Sequence, residues 1–375
     1  VLTNGRQVAP VSFAGLANAD WQPQLYRMAP SAAAHRVTIY DVAARAGVSQ
    51  PTASLVLSNH PRARVAPATR QRVLDAAAAI GYRPNVVARS LTRRRSFALG
   101  LIVPDFRSPF IADVVAGAER VAAEAGYAVL LCDQSARPLA SHLELLRARQ
   151  IDGVLIDAVG AATLPDAALA GLRVVLIDEP AERWPGVASD AAAAGRLVAE
   201  HLLALGHREF AFIGPAVDSH AYRLRERGFI TALRAAGLTV PSARWLRVAS
   251  AAVTEGRDAM RRLLAAPGRP TAVFCANDLL AIGAVKQALT AGVTVPGDLS
   301  VAGCDDIELA RYVTPELTTV RIPARELGAR AARLLLRQVE GRPMRREGAV
   351  LLPVQLVPRG TTAPVPPAAP LAQVA

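Results

Sequence analysis

Asp105, Asp178, Asn277, Asp278, Asp305 and Asp306 stand where this sequence could do chemistry, because each closely follows a short apolar run. Carboxylates and an amide at the ends of β-rich runs supply paired acceptors and donors, which suits holding a polar small molecule. Nothing comparable points to bond-breaking. The six histidines (His35, His60, His142, His201, His207, His220) show neither metal-ligand nor triad spacing, and no G-x-G-x-x-G follows a strand-like run. Cys132, Cys275 and Cys304 are far apart and odd in number, so they read as buried thiols of a reducing cytoplasm. No catalytic residue, metal or cofactor is expected.

A second chemistry lies in the charge. The 375 residues carry a net +12, yet residues 35–95 alone hold eleven arginines against two aspartates, with no lysine or glutamate. Basic charge concentrated in one sixth of the chain is the footprint of a polyanion-binding module. No stretch approaches 18 consecutive apolar residues, so no membrane span is expected. The N-terminal residues also lack the pattern of a secretory signal. The expected location is cytoplasmic.

The elements that must position these groups change character along the chain. Residues 1–34 show no periodicity and read as a disordered leader, or as sequence upstream of a start near Met28. Thr38 can cap a first helix with Asp41 in its first turn, Gly47 ends it, and Ser49 can cap a second helix running to about Ser58 with Pro51 tolerated in its first turn. Two short helices joined at Gly47-Val48-Ser49 have the helix-turn-helix form. A third is expected from Pro67 to Ile80, with Val73, Leu74, Ala77 and Ile80 facing the other two. Ala66 is a poor cap for it, a loss of about 1 kcal/mol. Asn85 can cap a short basic helix, Val86 to Leu91, too short to be stable alone. From Phe97 to about residue 357, β-rich runs alternate with amphipathic helical stretches, the pattern of two doubly wound parallel-sheet subdomains.

The segments Val37-Thr-Ile-Tyr-Asp-Val-Ala-Ala-Arg-Ala-Gly-Val-Ser49, Pro67-Ala-Thr-Arg-Gln-Arg-Val73 and Gly81-Tyr-Arg-Pro-Asn-Val-Val-Ala-Arg-Ser-Leu91 resemble the DNA-binding headpiece of the lac repressor (LacI) family. The likeness continues through Gly100-Leu-Ile-Val-Pro-Asp105, Glu200-His-Leu-Leu-Ala-Leu-Gly-His207, Ala276-Asn-Asp278, Val295-Pro-Gly-Asp-Leu-Ser-Val301 and Asp305-Asp306, and covers about residues 36–360. It implies that Gln50 and Pro51 begin the reading of base edges and that Thr52 and Ser54 touch bases or phosphates, with Thr38, Tyr40 and Ser49 on the same DNA face. Leu55 stands where an arginine would read guanine, and is either a packing residue or a changed contact. The resemblance places Asn85, Ala88, Arg89 and Leu91 in a hinge helix that enters the minor groove, where Leu91 would wedge into a base step. It places Asp178, Arg225, Asn277 and Asp305 against effector hydroxyls and Phe110 against the ligand ring. Individually the strand-end acids could be helix caps, a role expected of Asp278 and Asp306. Cys304 replaces a usual aromatic, and Asp190-Ala191 a usual Asp-Asn.

The expected fold is therefore an all-α helix-turn-helix headpiece plus an α/β periplasmic-binding-protein-like core of two doubly wound parallel-sheet subdomains. The expected domains are a leader (1–34), the headpiece (35–83) and a hinge (84–96), followed by the core and a disordered tail (361–375). In the core, 97–189 with about 322–351 form one subdomain, and 190–321 with about 352–360 the other. The expected function is a DNA-binding transcription regulator, a repressor, controlled by a small effector of sugar type. Its partners would be a pseudo-palindromic double-stranded DNA operator, that carbohydrate, and a second copy in a homodimer. No C-terminal heptads support a larger assembly. The competing reading is a sugar-binding protein of the periplasmic-binding-protein fold with a vestigial headpiece and no regulatory DNA binding; a periplasmic protein itself would need an export signal and no basic headpiece.

Overall fold

The computed structural model describes residues 37–57, 65–83, 95–157, 160, 164–179, 184–342 and 350–365, and the chain divides into two units after residue 89. The leader and the hinge residues 84–94, including Asn85, Ala88, Arg89 and Leu91, lie outside the described residues.

In the first unit, α1 (Ile39–Ala46) starts where the backbone N–H and hydroxyl of Thr38 both donate to Asp41 Oδ2 at 2.8 Å. It stops at Gly47, whose φ of 61° reverses the chain at no Cβ cost. Helix α2 (Gln50–Leu57) begins at Ser49, whose Oγ accepts from Thr52 N. Helix α3 (Pro67–Ala79) starts at proline behind Ala66, which makes no side-chain cap. Val42, Ala43 and Ala46 pack against Ala53 and Val56 and against Val73, Ala76 and Ala77. Leu74 was expected in this core but is 42 % exposed. The inward stripe is Val73, Ala76, Ala77 and Ile80, the i, i+3, i+4, i+7 spacing, and a residue one step from Val73 points about 100° away from it.

The second unit holds two parallel sheets. The first has the order β11-β5-β4-β3-β1-β2, with β1 Ala98–Val103, β2 Ala128–Asp133, β3 Gly153–Ile156, β4 Val174–Ile177, β5 Gly186–Ser189 and β11 Val350–Leu352. The second runs β7-β6-β8-β9, with β6 Phe210–Pro215, β7 Trp245–Val248, β8 Ala272–Cys275 and β9 Ser300–Ala302. The strands β10 (Thr319–Arg321) and β12 (Gln355–Val357) pair antiparallel. All four residues of β3, β4, β5 and β8 are buried, as expected of strands covered by helices on both faces.

The covering helices include α4 (Pro109–Glu124), α5 (Leu139–Ala148), α6 (Asp166–Leu169), α7 (Ala191–Ala204), α8 (His220–Ala235), α9 (Val253–Ala265), α10 (Asp278–Thr290) and α11 (Ala324–Val339). Helices α7 and α8 cross at two glycines. A Cβ on Gly195 would lie 1.8 Å from the Arg225 carbonyl oxygen, and one on Gly228 2.0 Å from that of Ala192. Only glycine permits so close a backbone approach.

Residues 361–365 correct the expectation of a disordered tail from residue 361. Thr361 is fully buried and exchanges hydrogen bonds with Val301, Ala363 N donates to Ser300 Oγ, and Val365 N donates to the Leu205 carbonyl. This strap ties the chain to the second sheet, with His207 bridging Thr271, Ser300 and the Ala363 carbonyl.

Candidate nucleic-acid interface and ligand cavity

On α2, Ala53 and Val56 turn inward, which leaves Gln50, Pro51, Thr52, Ser54 and Leu55 on the outer side. Ser49 and Thr52 are joined through their hydroxyls at 2.8 Å, so both side chains help start the helix. Tyr40 of α1 is 69 % exposed, whereas Thr38 is half-buried in its cap. Leu55 is 39 % exposed, which removes the reading of it as a core packing residue. A small, polar outer face on a helix entered through a tight turn can reach base edges by single hydrogen bonds and methyl contacts.

The second site is a cavity of about 970 Å³ between the C-terminal ends of the two sheets. Phe110, Asp178, Arg225, Asn277 and Asp305, the five residues expected at a ligand, all line it. Asp178 follows β4 of the first sheet. Asn277 and Asp305 follow β8 and β9 of the second, while Arg225 comes from α8 and Phe110 from the start of α4.

Arg225 and Asp305 form an ion pair at 2.8 Å with side chains 3 % and 7 % exposed. Arg225 also donates to the Ala276 carbonyl at 2.7 Å and lies 5.4 Å above the Tyr222 ring. Burial works to lower the Arg225 pKa, but Asp305 and the other neighbouring groups together outweigh it and hold the guanidinium charged. Burial pushes the Asp305 carboxyl up to about 6 while Arg225 pulls it down. Asp178 accepts from Ser189 N at 2.6 Å and from Ser189 Oγ at 3.0 Å; burial raises it, and those bonds oppose the rise.

Asp178 (φ 52°), Asp305 (φ 134°) and Asp306 (φ 55°) hold left-handed backbone without being glycine. Such residues cost roughly 1–3 kcal/mol each and cluster where a side chain must be aimed.

Two cap assignments need correction. Asn277, not Asp278, is the N-cap of α10: its Oδ1 accepts from Leu280 N at 2.9 Å, and its Nδ2 donates to the Ala251 carbonyl. Asp278 is fully buried and joins Thr319 Oγ1 to Ile307 N across the second subdomain. Asp306 caps nothing and instead collects Arg321 at 2.7 Å and Arg359. A strand-end acid looks the same in sequence whichever partner it finds.

Sequence reasoning missed Asp157, Glu179 and Tyr222, which also line the cavity. Asp157 follows β3 directly, so the strand-end rule that selected Asp178 applied to it equally. Among the described residues its buried Oδ2 has no hydrogen-bond partner, and burial, with Asp178 and Glu179 nearby, raises its pKa well above the usual range. Glu179 Oε1 accepts from His220 N at 2.7 Å, a carboxylate at the N-terminus of α8. Among the described residues no group of histidine, cysteine or acidic side chains could hold a metal ion, and no helix is long and apolar enough to cross a membrane.

Residues 38–85 match the model of bacterial regulatory proteins of the lacI family, and residues 199–362 that of the periplasmic binding protein-like domain. The chain is 35 % identical over 324 residues to the HTH-type transcriptional repressor PurR of Mannheimia succiniciproducens, covering 83 % of this chain and 94 % of that protein. The lac repressor dimer bound to operator and the anti-inducer ONPF superimposes with a TM-score of 0.76 at 30 % identity, over 87 % of this chain and 99 % of that one. The transcriptional regulator CelR–cellobiose complex gives 0.65 at 31 %, over 87 % and 100 %.

Proposed function

This chain belongs to the lacI family of bacterial regulatory proteins, and we propose from that membership how its two sites divide the work. It is a helix-turn-helix transcription regulator with a separate ligand-binding domain, not an enzyme. The exposed face of α2, Gln50 to Leu55, with Thr38, Tyr40 and Ser49, reads the operator. The hinge residues Asn85, Ala88, Arg89 and Leu91 enter the minor groove at its centre, two copies of the chain acting on a pseudo-palindrome in the cytoplasm.

The effector occupies the cavity and is a carbohydrate. The observation that carries this reading is the convergence of Phe110, Asp178, Arg225 and Asp305 on one space, an aromatic ring beside charged donors and acceptors. Such groups hold a polyol well because each hydroxyl can both donate and accept. The cellobiose complex of a relative supports the same class. Because the lining comes from both sheets, a bound molecule favours one spacing of the subdomains. It thereby changes the separation of the two hinges and the affinity for DNA, a coupling of roughly 1–3 kcal/mol.

Operator binding by the purified protein, titrated with salt and with a carbohydrate panel, tests this. The expected results are a steep fall of affinity with salt, lost on removing residues 1–96, and a change of operator affinity with at least one sugar. A salt slope unchanged by the truncation would refute the headpiece assignment. A panel without effect would refute the effector class.

A further inference from the structure

The cavity is lopsided in charge. Among the described residues its lining contributes five carboxylates, Asp105, Asp157, Asp178, Glu179 and Asp305, against three guanidinium groups, Arg107, Arg137 and Arg225. In a chain of net charge +12 that excess runs against the composition. Two of the acids are already neutralised, Asp305 by Arg225 and Asp105 by Arg107, each at 2.8 Å. The other three form one group at the ends of β3 and β4, and none makes an ion pair among the described residues.

Asp157 is the centre of that group. It is 8 % exposed, and its Oδ2 is buried with no hydrogen-bond partner among the described residues. Leaving a buried carboxylate oxygen unbonded is costly, and a protein retains such a group where something else supplies the bond. Asp178 and Glu179 are at least partly satisfied, by Ser189 and by His220 N. They therefore leave their negative charge, rather than an open bond, beside Asp157. A neutral hydroxyl could donate one hydrogen bond to Asp157 but would leave the crowding of the three acids to be relieved by a proton held on Asp157. An ammonium group would answer both.

We propose that the effector is an amino sugar, its protonated amine held by Asp157 under the field of Asp178 and Glu179 while its hydroxyls meet Arg225 and Asp305. The inference rests on the carbohydrate reading above and narrows it to one class. A desolvated ammonium–carboxylate contact is worth more than a neutral hydrogen bond, because charge assistance roughly doubles its strength.

The test compares matched ligands on the full chain by isothermal titration calorimetry at pH 7. The probes are glucosamine, galactosamine and mannosamine, each beside its parent hexose and its N-acetyl derivative. At least one amine is expected to bind ten times or more tighter than both its parent and its acetylated form, which keeps the nitrogen but not the charge. Asp157→Asn, nearly isosteric, should bring that ratio close to one, and Glu179→Gln should lower it by a smaller factor. Thermal melts of both variants verify folding. Hexoses that bind as well as their amines, or a ratio unchanged in Asp157→Asn, would overturn the amine assignment and leave the carbohydrate reading standing. If nothing in the set binds while neutral disaccharides do, the amine assignment alone falls. If no carbohydrate of any kind binds to a protein that still binds operator, the effector class itself is wrong.

Discussion

Separating Arg225 from Asp305 should have opposite pH signatures depending on which partner is removed. Both side chains are over nine-tenths buried and lie 2.8 Å apart. Asp305→Asn leaves a buried guanidinium that cannot deprotonate, a loss of roughly 3–5 kcal/mol of stability at pH 7. Arg225→Met leaves a buried carboxyl, which has an escape. Protonating it at pH 7 costs about 4 kcal/mol, three units above its free value at 1.36 each, so the electrostatic loss is capped there. The folded pKa of Asp305 is raised to about 6 by burial, against an ordinary 3.8. A raised folded pKa means that the group's contribution is present at low pH and is lost as pH climbs through that value. Between pH 7 and pH 5 the unsubstituted protein should therefore gain roughly 1.3 kcal/mol from this group. Arg225→Met, its acid pushed higher still, should gain about twice that, and Asp305→Asn nothing. The Arg225→Met deficit narrows on acidification and the Asp305→Asn deficit widens. Urea unfolding at the two pH values can follow this through Trp245, which stacks on Phe212 at 4.4 Å. Parallel shifts of both variants would show that Asp305 does not carry the burden assigned to it. Both variants should also lose the effector response while ligand-free operator affinity stays within about tenfold, roughly 1.4 kcal/mol.

Gly195→Ala would force a methyl to within 1.8 Å of the Arg225 carbonyl, so α7 and α8 must part. A loss of about 1–3 kcal/mol in unfolding and at least a tenfold weaker effector affinity are expected, and wild-type affinity in a stable variant would break the link between that crossing and the site. Burial raises Asp278 to about 7, so stability should fall as pH rises from 6.5 to 8, by on the order of 1 kcal/mol from this group, readable as a lower melting temperature. Leu91→Ala should weaken binding to operator while sparing scrambled DNA, because a wedge acts only on a kinkable centre; equal loss on both, by fluorescence anisotropy, would reject the wedge. Deleting residues 1–96 should leave a dimer by light scattering, and a monomer would move the subunit contact into the deleted segment.

The parts of the fold legible in sequence were those with strong local signals. The run Thr38 to Ser49 declared its helix, its stop and the next start, because capping residues and Gly47 act within one turn. Strands β1, β2, β3, β4, β6, β8 and β9 were legible as short, mainly apolar runs among the β-rich stretches after Phe97. β5, β7, β10, β11 and β12 were not, because Gly186–Ser189 or Gln355–Val357 is too short or too polar to stand out, and each exists only through its neighbour in the sheet. The strap at residues 361–365 was missed for the same reason, since a Thr-Thr-Ala-Pro sequence looks unstructured until Val301 and Ser300 give its backbone partners. In the site, strand-end position selected Asp105, Asp178, Asp278, Asp305 and Asp306 without ranking them, and Asp157, at the same kind of place, was passed over. Asp278 and Asp306 went to the frame and Asp157 to the cavity, a sorting made by contacts more than twenty residues away for Asp278 and fifteen or more for Asp306.

That sorting also decides how much the cavity can do. A ligand shifts an equilibrium between two subdomain spacings only by the difference in its affinity for them. The lining groups divide cleanly: Asp157 and Asp178 belong to the first sheet, Asp305 to the second, and Arg225 to the α8 helix locked on α7 by Gly195 and Gly228. A molecule bonded to Asp157 alone moves nothing. One that bonds Asp157 and the Arg225–Asp305 pair together can be fully held at only one spacing, and at the other it forfeits at least one hydrogen bond to a charged group, roughly 1.5–3 kcal/mol. One such bond is already enough for the roughly 1–3 kcal/mol of a typical allosteric coupling. The frame's own aspartates keep such a difference from being absorbed locally: Asp278 ties α10 to β10, and Asp306 ties the loop after β9 to Arg321 and Arg359, so these elements of the second subdomain are held together.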